Sequence, residues 1–115
     1  ADQNLQDGPH KDLRRARAAA QNMIPTSTGA AIATTQTLPQ LTGIFDGLAI
    51  RVPVLVGSLA DFTFLLKRKT TVHEVNRVLK KASKHPFYRG IVGVTEDSIV
   101  SSDIVGSSLS SLVDL

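Results

Sequence analysis

The chain has 115 residues and a formal net charge of +3, with 42% hydrophobic and 20% charged residues and neither cysteine nor tryptophan. That length allows one domain or part of one. The lack of cysteine excludes disulfides, thiolate metal sites and thiol catalysis within these residues, and no apolar run reaches the ~18 residues that span a bilayer. The three histidines, His10, His73 and His85, lie too far apart in sequence to suggest a metal centre. The mild basic excess suits anionic metabolites better than nucleic acid.

Residues 1–22 are polar and basic and contain the turn-forming Asp7-Gly8-Pro9. Leu13, Ala16, Ala20 and Met23 admit a helical stripe, and the alanine content favours one. Residues 23–27 are a short strand candidate. Thr28 then stands as N-cap to a helix opening at Ala30-Ala31-Ile32-Ala33. That helix should end near Leu38-Pro39, because proline disfavours helical geometry in the residue before it. From Phe45 to Val52 the pattern alternates, with Leu48, Ile50 and Val52 on one face and Gly47, Ala49 and Arg51 on the other. Val54 to Leu66 reads as a longer strand joined to it at Pro53, and the two are expected to pair antiparallel.

Thr71 and Glu74 have capping-box spacing, followed by an apolar stripe of Val72, Val75, Leu79 and Ala82. Lys80, Lys81 and Lys84 then crowd the last turn, where they complement the helix dipole, and Pro86 ends the helix. Ile91 to Val94 and Ile99 to Val105 read as strands, followed by a serine-rich stretch from Ser107 to Ser111. The expected class is α+β: a mostly antiparallel sheet with helices packed on one face.

Three segments carry candidate chemistry. Arginine offers a planar fork that grips two oxygens at once, and a helix N-terminus offers free amides and a partial positive charge. Asp12-Leu13-Arg14-Arg15-Ala16-Arg17, Pro25-Thr26-Ser27-Thr28-Gly29-Ala30-Ala31 and Arg51-Val52-Pro53 supply both. Taken singly, each has a plain structural explanation: a solvated basic face, a well-capped helix, an arginine at a strand edge. Arg51 stands out because it interrupts an apolar strand, and a charge buried bare there is prohibitively costly. Their joint occurrence, order and spacing point to phosphate.

In that order and spacing the segments resemble the catalytic domain of phosphorylating glyceraldehyde-3-phosphate dehydrogenases. The resemblance extends through Thr70-Thr71-Val72-His73-Glu74-Val75-Asn76, Gly90-Ile91-Val92-Gly93-Val94-Thr95-Glu96-Asp97 and Val100-Ser101-Ser102-Asp103, and so covers nearly the whole chain. It implies a partial C-terminal catalytic domain over residues 1–115. Within it, residues 1–22 would form an ordered loop, in place of the helical stripe, lining a cofactor cleft and a subunit interface. It implies that Arg51 binds the substrate phosphate, that Thr28 and Gly29 hold the attacking inorganic phosphate, and that Arg15 reaches toward bound phosphate. Asp2, Gly8 and Pro9 would line the cofactor, and the small residue before proline favours NAD. In the family a cysteine attacks the aldehyde and a histidine takes the thiol proton. Hydride passes to the nicotinamide, and phosphate cleaves the resulting thioester.

Neither that cysteine nor its histidine occurs here, and no G-x-G-x-x-G fingerprint is present. The expectation is therefore a fragment with no catalytic residue of its own and no dinucleotide-binding domain, inactive in isolation. Its parent would be a cytoplasmic, glycolytic homotetramer acting on glyceraldehyde 3-phosphate and inorganic phosphate. Ile32 and Ile44 stand where the family usually or often has lysine, and Leu109 where histidine is frequent; none of these removes a phosphate contact. An erythrose-4-phosphate dehydrogenase shares the scaffold, and a non-catalytic anion-binding or interaction module is the alternative from another class. The scarcity of aromatic rings argues against nucleic acid.

Overall fold

The computed structural model describes residues 3–115, and the chain divides into two compact units, Ala1–Leu55 and Val56–Leu115. The first begins with a loop. Residues 3–23 contain no helix or strand, despite the helical spacing of their apolar side chains, because short polar groups capture the backbone there. Asp12 Oδ1 accepts the Arg14 amide at 3.0 Å, Asp7 Oδ1 accepts the Ala18 amide at 2.8 Å, and Asn22 Nδ2 donates to the Ala18 carbonyl at 2.8 Å. Such local bonds compete with the helical ladder. Backbone bonds from Asn4 N–H to the Arg15 carbonyl (3.2 Å), from Gly8 N–H to Ala16 (2.9 Å) and from Ala19 N–H to Asn4 (2.9 Å) close the loop on itself.

After the loop come strand β1, Ile24–Thr26, helix α1, Ala30–Thr37, one turn of 3-10 helix at Pro39–Leu41, and strand β2, Ala49–Arg51. Alanine favours α1, and its threonines are accommodated by donating back to the carbonyls of Ala30, Ile32 and Ala33. The helix stops at Thr37, with Leu38 out of the helical region (φ −122°, ψ 77°) before Pro39, as the sequence predicts. The strands pair antiparallel, with Ile24 opposite Arg51, Pro25 opposite Ile50 and Thr26 opposite Ala49. Among the described residues the buried ones are Ala18, Ile24 and Ala31, all in this unit, and Ile24 is 2% exposed.

The second unit holds helix α2, Val72–Ser83, strand β3, Val92–Thr95, a 3-10 turn at Ser101–Ile104, and strand β4, Ser111–Asp114. β3 and β4 pair in parallel from Val92 opposite Ser111 to Thr95 opposite Asp114. Residues 96–110 make the long connection that a parallel pair requires. At Gly93 an added Cβ would stand 2.5 Å from Leu109 Cδ1 and 3.0 Å from Leu112 Cδ1. Two leucines thus occupy the space above that glycine.

The class is α+β, with one antiparallel and one parallel pair of strands. Two sequence-derived strands are absent. Val54 to Leu66 has no ladder partner and stays irregular, so β2 pairs with β1 instead. Its Phe62 and Phe64 rings still stack at 5.7 Å, as side chains two apart in an extended segment do. Leu55 and Leu65 are fully exposed. Ile99 to Val105 becomes the 3-10 turn because Asp103 Oδ2 takes the Val100 amide at 2.7 Å.

The Thr71–Glu74 box forms by half. Thr71 Oγ1 accepts the Glu74 amide at 3.2 Å. The Glu74 carboxylate is instead gripped by both Arg68 Nη atoms, at 3.1 and 2.6 Å, and by Thr70 Oγ1 at 2.8 Å. Those bonds, Arg68 first, hold the Glu74 carboxyl down at about 2. A carboxyl depressed by folding contributes its stability above the unfolded glutamate pKa and loses it as pH falls from there through about 2. A carboxyl-carbon NMR titration should place the Glu74 midpoint near 2, and Arg68→Ala should return it toward the ordinary glutamate range. In the first unit, Ile24→Ala should cost about 2–5 kcal/mol in urea unfolding, the range for truncating a buried isoleucine.

Candidate functional site

The β1–β2 ladder sets the site. Residues opposite each other in an antiparallel pair point to the same face, and that face repeats every second residue. Ile24, Thr26, Ala49 and Arg51 therefore share one face, and Pro25 and Ile50 the other. The first set is buried or half-buried, whereas Ile50 is 58% exposed. The covered face is thus the one that carries Arg51, and the apolar Ile50 looks outward. Arg51 Nε is buried and has no hydrogen-bond partner among the described residues. An unsatisfied buried donor costs about 1–3 kcal/mol, more when charged.

Arg15 reaches the same face from the loop. Its Nε donates to Thr26 Oγ1 at 2.9 Å, its Nη2 lies 3.5 Å from Ser27 Oγ, and its Nε is 3.3 Å from Asp12 Oδ2. The Arg15 side chain is only 18% exposed. A surface arginine would wander; this one is held.

Thr28 and Gly29 follow directly. The N-cap of α1 is Gly29, one residue later than the sequence suggests, and Thr28 Oγ1 accepts the Ala30 amide at 3.1 Å. Gly29 is exposed, with ordinary right-handed backbone (φ −81°), and a Cβ there would meet nothing within 4 Å. Neither backbone nor packing requires a glycine. What the missing side chain leaves is open space in front of the helix start. Two shallow depressions lie beside Asp7 and Arg17 and beside Arg14 and Pro25. Neither includes Thr28, Gly29 or Arg51; Gly29 is exposed, and Thr28 and Arg51 are half-buried.

Of the expected cofactor-lining residues, Asp2 lies outside the described residues. Gly8 and Pro9 sit in the closed loop, where a Cβ on Gly8 would come 3.0 Å from Asn4 Nδ2 and the Pro9 carbonyl accepts from that same nitrogen at 3.4 Å. Nearby, Arg17 Nε pairs with Asp7 Oδ2 at 3.1 Å. The Ala18 amide first, and then Arg17, hold the Asp7 carboxyl below its usual range. Arg17 is thereby tied into the loop.

The structure thus brings Arg15, Arg51, Thr28 and Gly29 to one strand and the helix that follows it. Gly8 and Pro9 are joined to this group only through the loop. Sequence reasoning missed Asp12 and Thr26, both of which hold Arg15. The i, i+3 spacing of Asp12 and Arg15 is a signal that could have revealed the first; only the strand pairing reveals the second.

The profile of the family described as "Glyceraldehyde 3-phosphate dehydrogenase, C-terminal domain" matches residues 1–115. A glyceraldehyde-3-phosphate dehydrogenase of Borreliella burgdorferi is 58% identical over 114 residues, covering 98% of this chain and 34% of the relative. One of Streptomyces coelicolor is 56% identical over 113 residues, covering 98% and 34%. One of Borrelia hermsii is 56% identical over 107 residues, covering 92% and 40%. The chain spans about a third of the length of the first two of these curated relatives.

Proposed function

This chain belongs to the glyceraldehyde 3-phosphate dehydrogenase C-terminal domain family, and on that premise we propose that it supplies the two phosphate-binding subsites of an NAD-dependent, phosphorylating dehydrogenase acting on glyceraldehyde 3-phosphate in glycolysis. The observation that carries this reading is the convergence of Arg15 and Arg51 on the covered face of β1–β2, beside the open start of α1.

Arg51 is assigned to the phosphate of the substrate. Its buried, unpartnered Nε favours a permanent anionic acceptor over water. Thr28 and the Gly29 amide are assigned to the attacking inorganic phosphate, with Arg15 beside them. Holding two phosphates near one another is opposed by their mutual repulsion, and fixed cations offset that cost. Their work is positioning and charge stabilisation, which can supply a large part of a rate enhancement. The thiol nucleophile and its histidine base are assigned to other parts of the enzyme, so the 115-residue chain alone should not turn over.

For the dinucleotide, the residues present fit an edge of a site. Gly8 and Pro9 are assigned to that edge, in a loop segment that the Asn4 side chain braces by packing on Gly8 and donating to the Pro9 carbonyl. When bound, that cofactor would accept the hydride. The loop's exposed Leu5, Leu13 and Met23 support its assignment to a subunit interface, in a homotetramer located in the cytoplasm. Among the described residues no helix is long and apolar enough to cross a membrane.

Steady-state kinetics of the full-length enzyme, with aldehyde and phosphate varied separately, test the assignment. Arg51→Ala should weaken the phosphorylated aldehyde by about 10- to 150-fold, since a charge-assisted bond contributes about 1.5–3 kcal/mol. Thr28→Ala should act on the phosphate-dependent step by about 2- to 12-fold, from about 0.5–1.5 kcal/mol for one neutral bond. Arg17→Ala should alter assembly more than either Michaelis constant. Unchanged kinetics in Arg51→Ala would make Arg51 a structural arginine and end this reading.

A further inference from the structure

We propose that Thr26 and Asp12 are positioning residues for Arg15 that act with opposite sign on inorganic phosphate: Thr26 aims the guanidinium and Asp12 tempers its charge. The inference rests on the reading of Thr28 and Gly29 as the inorganic-phosphate subsite, and it assigns roles to two residues on which that reading is silent.

A guanidinium is planar, so fixing its Nε against a rigid acceptor fixes the plane and the direction of both terminal nitrogens. Thr26 is such an acceptor. It lies in β1 and accepts a hydrogen bond from Arg15 Nε at 2.9 Å, and its β-branched side chain has few rotamers in a strand. Anchored there, Arg15 Nη2 lies 3.5 Å from Ser27 Oγ, the residue immediately before Thr28. Nη2 of the guanidinium is thereby placed beside the residue that precedes Thr28 and Gly29. Because Thr26 shares its face with Arg51, one ladder orients both arginines.

Asp12 touches the same nitrogen, with Oδ2 at 3.3 Å. Its carboxylate is held by the Arg14 amide, which Oδ1 accepts at 3.0 Å, and its backbone by the Asp12 amide, which donates to His10 Nδ1 at 2.9 Å. A carboxylate held beside Nε offsets part of the positive charge and repels an arriving anion. A subsite for a consumed co-substrate has to refill at each turnover, and a tempered cation suits that better than a bare one. The two partners therefore make opposite predictions, which a purely structural role for both would not.

The test uses the isotopically labelled chain titrated with inorganic phosphate, following the Thr28 and Gly29 amide signals. Thr26→Val keeps shape and strand preference but removes the acceptor, and it should weaken phosphate about ten-fold, as loss of a bond to a charged group does. Thr26→Ser should stay within about two-fold of the native chain. Asp12→Asn retains an oxygen for the Arg14 amide while removing the charge, and it should tighten phosphate by about two- to five-fold, the scale of a partly exposed ion pair. In an Arg15→Ala background Thr26→Val should have no further effect, because it works through Arg15.

Weakening by Asp12→Asn, or an undiminished effect of Thr26→Val without Arg15, would overturn the proposal and leave the phosphate subsite standing. If phosphate moves neither the Thr28 nor the Gly29 signal in the native chain, the subsite reading fails and this inference fails with it. Should Thr26→Val lose the β1–β2 amide pattern, Asp12→Asn decides alone: tightening sustains the proposal, and no change or weakening ends it.

Discussion

The ladder between Ile24–Thr26 and Ala49–Arg51 carries everything proposed for this chain. It joins a segment that follows the basic loop to one that lies beyond α1, and it is anchored by Ile24, the most buried side chain described. Burying one isoleucine in so small a core stabilises by only about 1.5–3 kcal/mol, yet it fixes which face of two strands is covered. That choice sends Arg51 to the covered side with a buried Nε. It also sets Thr26 where Arg15 can reach it. A one-residue slip of register would reverse both faces and send Arg51 outward.

Elements with strong local determinants were legible in the sequence. α2 has an N-cap threonine, an amphipathic stripe and lysines in its last turn, and it forms over Val72–Ser83. α1 ends where Pro39 requires it to. The elements that failed to appear depend on something that periodicity does not encode. Val54 to Leu66 alternates as a strand should, but alternation records which face is to be covered and says nothing about whether a neighbouring edge exists to pair with. Its side chains remain largely exposed. Ile99 to Val105 and the Thr71–Glu74 box were altered by individual acidic side chains that found closer partners than the pattern assumed.

The candidate site was legible as residue types and not as geometry. Arg15, Thr28, Gly29 and Arg51 could be singled out because arginines, a hydroxyl and a glycine at a helix start are the groups that hold phosphate. What the chain spacing could not reveal is that Thr26 holds the Arg15 Nε, or that Thr26 shares the face of Arg51. These are consequences of pairing between segments far apart in sequence. The loop makes the same point: alanine-rich composition argued for helix, and three short polar side chains overruled it.

The contact at Gly93 constrains how this fold can change over time. With a Leu109 methyl 2.5 Å and a Leu112 methyl 3.0 Å from where its Cβ would stand, a side chain at residue 93 obliges the ends of those leucines to shift. A lineage would place a side chain at residue 93 with least disturbance where residue 109 had already become smaller, since otherwise the Leu109 methyl has to turn away. The two positions are therefore coupled in substitution: a smaller residue in the connection before β4 relieves the contact that a side chain in β3 would make.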